Sequence, residues 1–317
     1  MADQSDVAGA SQATAQSTTQ ATTPSTSAVF GLGSMGFGIA QSLIKAGHTV
    51  YGYDVTDEPV DRLVEVGGQK ARFAEIASNV DVVVVVVLNA EQTEDVLFGE
   101  DGVVASLEAG AAIIASATVS PDFARQMESR CQAKGIHYLD APISGGSIKA
   151  AAGALSIMAS GTSRAFARAR PALDAISEKV FELGAEAGAG SAMKVVNQML
   201  AGVHIASMAE AITFGMTQGV APDEFLEVIS QCAGTSWMLE NRAPHVIAGD
   251  YTPHSAVDIW LKDLGIVLDI AKDAKFGAPL TAAALQQFVA ASGSGLGRED
   301  DAAVAKVYAR NANIELP

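Results

Sequence analysis

Cysteine is nearly absent: Cys131 and Cys232 lie far apart in a chain of 317 residues, and neither sits in a metal-ligand spacing. A disulfide framework and a zinc site are thereby excluded, and a reducing cytoplasm is the expected location. Positive charge is also scarce. Twenty Lys and Arg against 36 Asp and Glu leave a net charge of -16, which argues against nucleic acid and anionic membrane because both reward excess Lys and Arg. Any anionic ligand must then be held by a few local lysines, arginines and backbone amides. No run of 18 purely apolar residues occurs. The stretch 195–216 comes nearest, but Asn197, Gln198, His204, Ser207 and Glu210 mark it as a buried core helix. Residues 1–27 are rich in Ala, Ser, Thr and Gln, with neither the apolar core of a secretion signal nor the arginines of a transit peptide. They are expected to be a disordered extension that takes no part in the fold.

What is present is a large interior, with 49% hydrophobic and 18% charged residues, enough for two domains. From Ala28 to Ala192, short apolar runs alternate with helical patterns, predicting a doubly wound, Rossmann-type parallel sheet covered by helices. The expected strands are 28–30, 48–53, 82–88, 111–115, 137–139, 155–159 and 180–183. The valine-rich run 82–88 suits a central strand buried on both faces. Beyond Gly190 the pattern turns helical, with one long helix over 191–218, about 40 Å at 1.5 Å per residue. Further helices are expected over 222–233, 236–248, 255–275, 279–293 and 300–310. The predicted division is an α/β domain over 28–192 and an all-α domain over 193–317.

Gly31-Leu32-Gly33-Ser34-Met35-Gly36 matches G-x-G-x-x-G between a strand and a helix, the context in which that pattern holds a dinucleotide. The glycines permit a tight turn and close approach of a pyrophosphate, and the helix N-terminus offers amides and a positive dipole. Asp54 ends the second strand, 18 residues after Gly36. A carboxylate there accepts hydrogen bonds from the adenosine ribose and repels a 2′-phosphate, so NAD is expected in preference to NADP. Asn89 and Thr118 fall at carboxyl ends of strands, where they could line the nicotinamide side or cap helices.

Lys194 and Asn197 stand one helical turn apart, with no charged residue following until Glu210. A lysine held among apolar groups can have its pKa lowered towards neutrality, which suits general acid/base work. The competing reading is a lysine snorkelling from a helix end. Asp140-Ala141-Pro142-Ile143-Ser144-Gly145-Gly146 follows another strand, and the Ser144 hydroxyl with the amides of Gly145 and Gly146 suits a carboxylate.

These elements, together with Gly188-Ala189-Gly190 before Lys194 and with Lys262-Asp263-Leu264, occur in the order found in the β-hydroxyacid dehydrogenases, a family the chain resembles over residues 28 to about 312. The resemblance implies an active site between the two domains. In it Lys194 would be the catalytic acid/base, Asn197 would orient the substrate, Ser144 with Gly145 and Gly146 would bind its carboxylate, and Lys262 would lie against the cofactor. The stretches 233–242, 249–258 and 297–301 look like the branch that oxidises L-threonate with NAD. That implies a polyhydroxylated substrate, for which Ser236, Asn241, Arg242 and Lys149 are candidate partners, while Trp237 and Met238 are expected to pack in the core. Related activities on tartronate semialdehyde or 3-hydroxyisobutyrate are the alternatives. A non-catalytic NAD sensor is a rival of a different class. The helical domain is expected to pair across a two-fold axis as a dimer or tetramer.

Overall fold

The computed structural model describes residues 24–317, so most of the expected N-terminal extension lies outside the described residues. Thr26 and Ser27, assigned to that extension from the sequence, instead open the first strand. Five parallel strands form the main sheet: β1 (Thr26–Phe30), β2 (Thr49–Tyr53), β3 (Val82–Val85), β4 (Ala112–Ala115) and β5 (His137–Asp140), in the order β2-β1-β3-β4-β5. The order reverses between β1 and β3, which leaves a crevice at their carboxyl ends. On one face lie α1 (Ser34–Lys45) and, later in the chain, a helix over Ser163–Ile176. The other face carries α3 (Phe73–Ile76), α4 (Ala90–Phe98) and α5 (Pro121–Gln132), while α2 (Asp57–Glu65) flanks the edge beside β2 and packs with α1. Alternation along β3 explains the valine run: Val82 and Val84 feed the core under α1, and Val83 and Val85 feed the core under α4 and α5.

The strand expected over 82–88 stops at Val85. Val86, Val87 and Leu88 run on past the sheet edge. The strands expected at 155–159 and 180–183 do not extend the main sheet either. Pro142 has no N–H to continue a ladder, and the chain folds back after β5. There β6 (Ile143–Ser144) pairs antiparallel with β7 (Leu155–Ala159) across the short α6 (Gly146–Ala151). After α7 (Ser163–Ile176), β8 (Ser177–Glu182) pairs parallel with β7. This second, three-stranded sheet meets the first through a bridge between Asp140 and Ser160.

The long helix α8 spans Ala189–Thr217, two residues earlier at its start than the sequence pattern implied. Its entry is clamped by carboxylates. Asp140 accepts from the Gly188 N–H at 2.9 Å, the Ser191 N–H at 2.8 Å and the Ser191 hydroxyl at 2.6 Å, and Glu128 accepts from the Ala187 N–H at 3.0 Å. Negative groups at a helix N-terminus complement its dipole. Burial nevertheless holds the Asp140 pKa above the usual carboxylate range, against the pull of those hydrogen bonds. Around α8 pack α9 (Pro222–Ile229), α10 (Trp237–Ala248), α11 (Val257–Asp273), α12 (Pro279–Ala291) and α13 (Ala305–Ala312). Gly202 lets α11 approach closely: a Cβ there would meet Leu264 at 2.8 Å and Trp260 at 3.0 Å. Among the described residues α8 is the one helix long and apolar enough to cross a membrane. Within the fold it is the axis of a helical core, with Lys194, Gln198 and Thr213 buried along it.

Candidate active site

A cavity of about 350 Å³ opens between the main sheet and the helices, at the crevice where the strand order reverses. Its walls bring together residues distant in sequence: Gly33 to Gly36, Thr118, Ser144 to Gly146, Lys194 with Asn197, and Lys262. Each group arrives by a different element.

The glycine turn is shaped by sterics. Gly31 has φ +89°, and a Cβ there would lie 2.4 Å from the Val86 carbonyl oxygen; one on Gly36 would lie 1.8 Å from the Gly31 carbonyl oxygen. Gly33 differs, because a Cβ would meet nothing within 4 Å. Its open face looks into the cavity beside the first turn of α1, a turn with no side-chain cap and no acidic residue. Free amides and empty space there fit the pyrophosphate of a dinucleotide. A second observation agrees. The Ser116 hydroxyl, at the carboxyl end of β4, is buried in the cavity wall with no partner among the described residues, and such a group needs one. Nothing in the sequence singled Ser116 out.

Leu32 is fully buried and Gly31 half-buried, and neither is part of the cavity wall. The Leu32 N–H donates to Asp54 Oδ2 at 2.7 Å, which holds Asp54 against the glycine turn. Asn89 does not reach the cavity. Its side chain caps α4, accepting from the Gln92 N–H at 2.8 Å, the second of the two roles the sequence allowed, and the place beside the nicotinamide is given up. Thr118 does line the cavity, and the cap of α5 is Ser120 instead.

Lys194 is 9% exposed, and its Nζ donates to the Ile143 carbonyl at 2.8 Å, beside the Ser144–Gly146 turn. Burial brings its pKa from 10.5 down to about 8; Asp263 opposes the fall and Lys262 adds to it. The snorkelling alternative fails, because the side chain stays inside. Asn197 donates to Gln198 at 2.8 Å, and Gln198 donates to Asp263. Lys262 Nζ lies 2.7 Å from Asp263 Oδ1 and 3.4 Å from the Thr118 carbonyl, tying the helical domain to the end of β4. The sequence reading named Gln198 and Asp263 but gave neither a role in the site. Gly145, at φ +136°, allows the turn that presents the Ser144 hydroxyl and the following amides.

The far wall was legible only in part. Asn241 and Arg242 line it as expected, whereas Ser236 caps α10 and Lys149 is exposed, 3.7 Å from Glu178. Trp237, expected in the core, is 59% exposed and lines the cavity. His254 and Ser255 were missed. His245, His254 and Asp300 bring possible metal-ligating atoms within 4.8 Å of one another. However, Asp300 already accepts from His245 Nδ1 and from the His254 N–H, each at 2.9 Å, with the Arg242 guanidinium 3.9 Å away. The cluster is a hydrogen-bonded support for a loop.

Comparison with known proteins identifies the family. Residues 26–184 match the family model described as the NAD-binding domain of 6-phosphogluconate dehydrogenase, and residues 188–308 match that of the NAD-binding of NADP-dependent 3-hydroxyisobutyrate dehydrogenase. The chain is 51% identical to an L-threonate dehydrogenase of Cupriavidus necator, over 91% of this chain and 97% of that one. It is 45% identical to an L-threonate dehydrogenase of Escherichia coli, over 91% and 95%. A crystal structure of a 3-hydroxyisobutyrate dehydrogenase from Salmonella typhimurium superposes with a TM-score of 0.84 at 44% identity, covering 89% of this chain and 99% of that one. The chain belongs to the β-hydroxyacid dehydrogenase family, whose members couple a dinucleotide-binding α/β domain to a helical one.

Proposed function

We propose that this protein oxidises L-threonate to 2-dehydro-L-erythronate with NAD as acceptor. The observation that carries the reading is Lys194: a buried amine, titrating near pH 8, at the junction of the glycine-turn crevice and the Ser144–Gly146 turn. In its neutral form it can donate one N–H to Ile143 and still present a lone pair to the substrate hydroxyl. Ser144 with the amides of Gly145 and Gly146 receives the carboxylate, and Asn197, oriented through Gln198, receives the reacting oxygen. Lys194 takes the hydroxyl proton as the carbon is oxidised. When bound, the nicotinamide supplies the two-electron acceptor, and the chain supplies position and charge.

NAD is favoured over NADP by the carboxylate of Asp54, held at the glycine turn, which would repel a 2′-phosphate there. A homo-oligomer is part of the same reading, supported by exposed apolar residues Met193, Val196, Leu200 and Phe214 along α8, and a cytoplasmic location goes with it from the sequence composition. The test is an NADH-formation screen of the purified protein over threonate and erythronate isomers, 3-hydroxyisobutyrate and, in reverse, tartronate semialdehyde. The highest kcat/KM is expected for L-threonate. A clear preference for 3-hydroxyisobutyrate would replace the substrate and keep the machinery, and tight NADH binding with no turnover would favour a sensor.

A further inference from the structure

The carboxylate turn and Lys194 account for one end of a four-carbon acid, and the opposite wall of the cavity sets Asn241, Arg242, His254 and Ser255 among apolar side chains. We propose that His254 and Asn241 form a subsite that recognises the distal hydroxyls of the substrate, with Arg242 and Asp300 as positioning residues behind them. The inference rests on the threonate reading above.

Arg242 is buried, with its Nε 2.5 Å and its Nη2 3.3 Å from the two oxygens of Asp301, while Nη1 donates to Asn241 Oδ1. Its fork is therefore engaged, and it is no free receptor for a substrate carboxylate. The same contact settles how Asn241 is oriented. Arginine can only donate, so the atom facing it must be Oδ1, and the Nδ2 amide is left as a donor. Asp301 is fixed in turn by the Trp260 indole N–H at 2.8 Å. Trp260 packs against Gly202, two turns along α8 from Lys194.

His254 is held by its backbone and not by its ring. Its N–H donates to Asp300 Oδ2 at 2.9 Å, and Asp301 N–H donates to the Ser255 carbonyl at 2.8 Å, which fixes the loop before α11. The ring meets His245 edge to face with centroids 4.8 Å apart, and His245 Nδ1 is bonded to Asp300. His254 and Asn241 are both exposed to solvent, and they line the cavity together with Ser255, so the ring nitrogens of His254 are open to a ligand in it. A neutral imidazole offers one donor and one acceptor, and the amide adds a donor. Substrate hydroxyls can replace the water on both groups, whereas an alkyl tail displaces that water and returns no hydrogen bond. A site built to bond a substrate hydroxyl rejects analogues that lack it far more strongly than an apolar pocket does.

The experiment compares L-threonate with 2-hydroxybutanoate of the same configuration at C2, which lacks the hydroxyls at C3 and C4. It uses the intact protein and the variants His254→Leu, His254→Gln and Asn241→Leu, with NADH affinity as a check on folding. The wild type is expected to prefer threonate. His254→Leu should lower kcat/KM for threonate by about 10- to 100-fold, leave 2-hydroxybutanoate within about twofold, and be largely rescued in His254→Gln. Because Asn241→Leu also removes an acceptor from Arg242, the two His254 variants carry the test if that protein fails to fold. Equal losses on both acids, or an unchanged ratio, would overturn the subsite. So would a wild type that oxidises both acids equally, and in that case the threonate reading stands. A wild type inactive on threonate but active on another hydroxy acid would remove the reading and the subsite together.

Discussion

Replacing Lys194 by methionine should make the protein more stable and nearly inactive. The side chain is 9% exposed, and methionine matches its length without the charge. In the fold the amine titrates near 8, against 10.5 for an ordinary lysine. At about 1.4 kcal/mol for each pH unit, that gap means the charged form costs the folded state roughly 3 kcal/mol. The sign follows from proton counts. Between pH 8 and 10.5 the unfolded chain holds this proton and the folded chain does not, so stability rises with pH through that window and the penalty is fully present below it. Loss of the hydrogen bond to Ile143 offsets about 1 kcal/mol. The methionine variant should therefore be more stable at pH 7 by roughly 1–2 kcal/mol, with an advantage that shrinks or reverses by pH 10. Urea unfolding of both proteins at pH 7 and pH 10 measures this, and turnover at pH 8 should fall by about 10²- to 10⁴-fold. A variant less stable than wild type by the same margin at both pH values would show that Lys194 is not held as a strained buried cation, and retained turnover would remove it from proton transfer.

Other changes separate ligand space from structural packing. Gly33→Val places a side chain in open space, so unfolding should be little changed while NADH affinity, read by fluorescence, is largely lost; Gly36→Ala collides with the Gly31 carbonyl and should lower the melting temperature first. Asp54→Ala should narrow the preference for NAD over NADP in kcat/KM by at least about tenfold, since a carboxylate no longer faces the 2′-phosphate. Asn89→Ala should cost about 1 kcal/mol of stability as a lost cap and leave KM for NAD unchanged. Wild-type kcat/KM for oxidation should rise with pH and level off above about 8, with the reverse reaction falling above the same point.

What could be read from the sequence was whatever depends on neighbours along the chain. Gly31 to Gly36 and Asp54 announce themselves because a tight turn and a strand end are local demands, and Lys194 stands out because no charge surrounds it. The second sheet was hidden. Leu155–Ala159 has the composition of any buried strand, and its partners depend on a chain reversal at Pro142 and on β8, 22 residues further on. Asn89 stayed ambiguous because the carboxyl end of a strand is also the start of a helix, so one position suits a ligand contact and a cap equally. The walls formed by His254, Trp260 and Asp263 were invisible for a third reason. Their roles come from Asp300, Asp301 and Gln198, partners brought together only by the packing of α10 and α11 on α8.

The account depends most on Lys194 meeting the reacting alcohol at the bound dinucleotide. A crystal structure of the abortive complex with NADH and L-threonate tests that directly. Lys194 Nζ should lie within about 3.2 Å of the C2 hydroxyl, with the carboxylate on Ser144 and Gly146. A substrate seated in the cavity with that hydroxyl beyond hydrogen-bond reach of Nζ would contradict it.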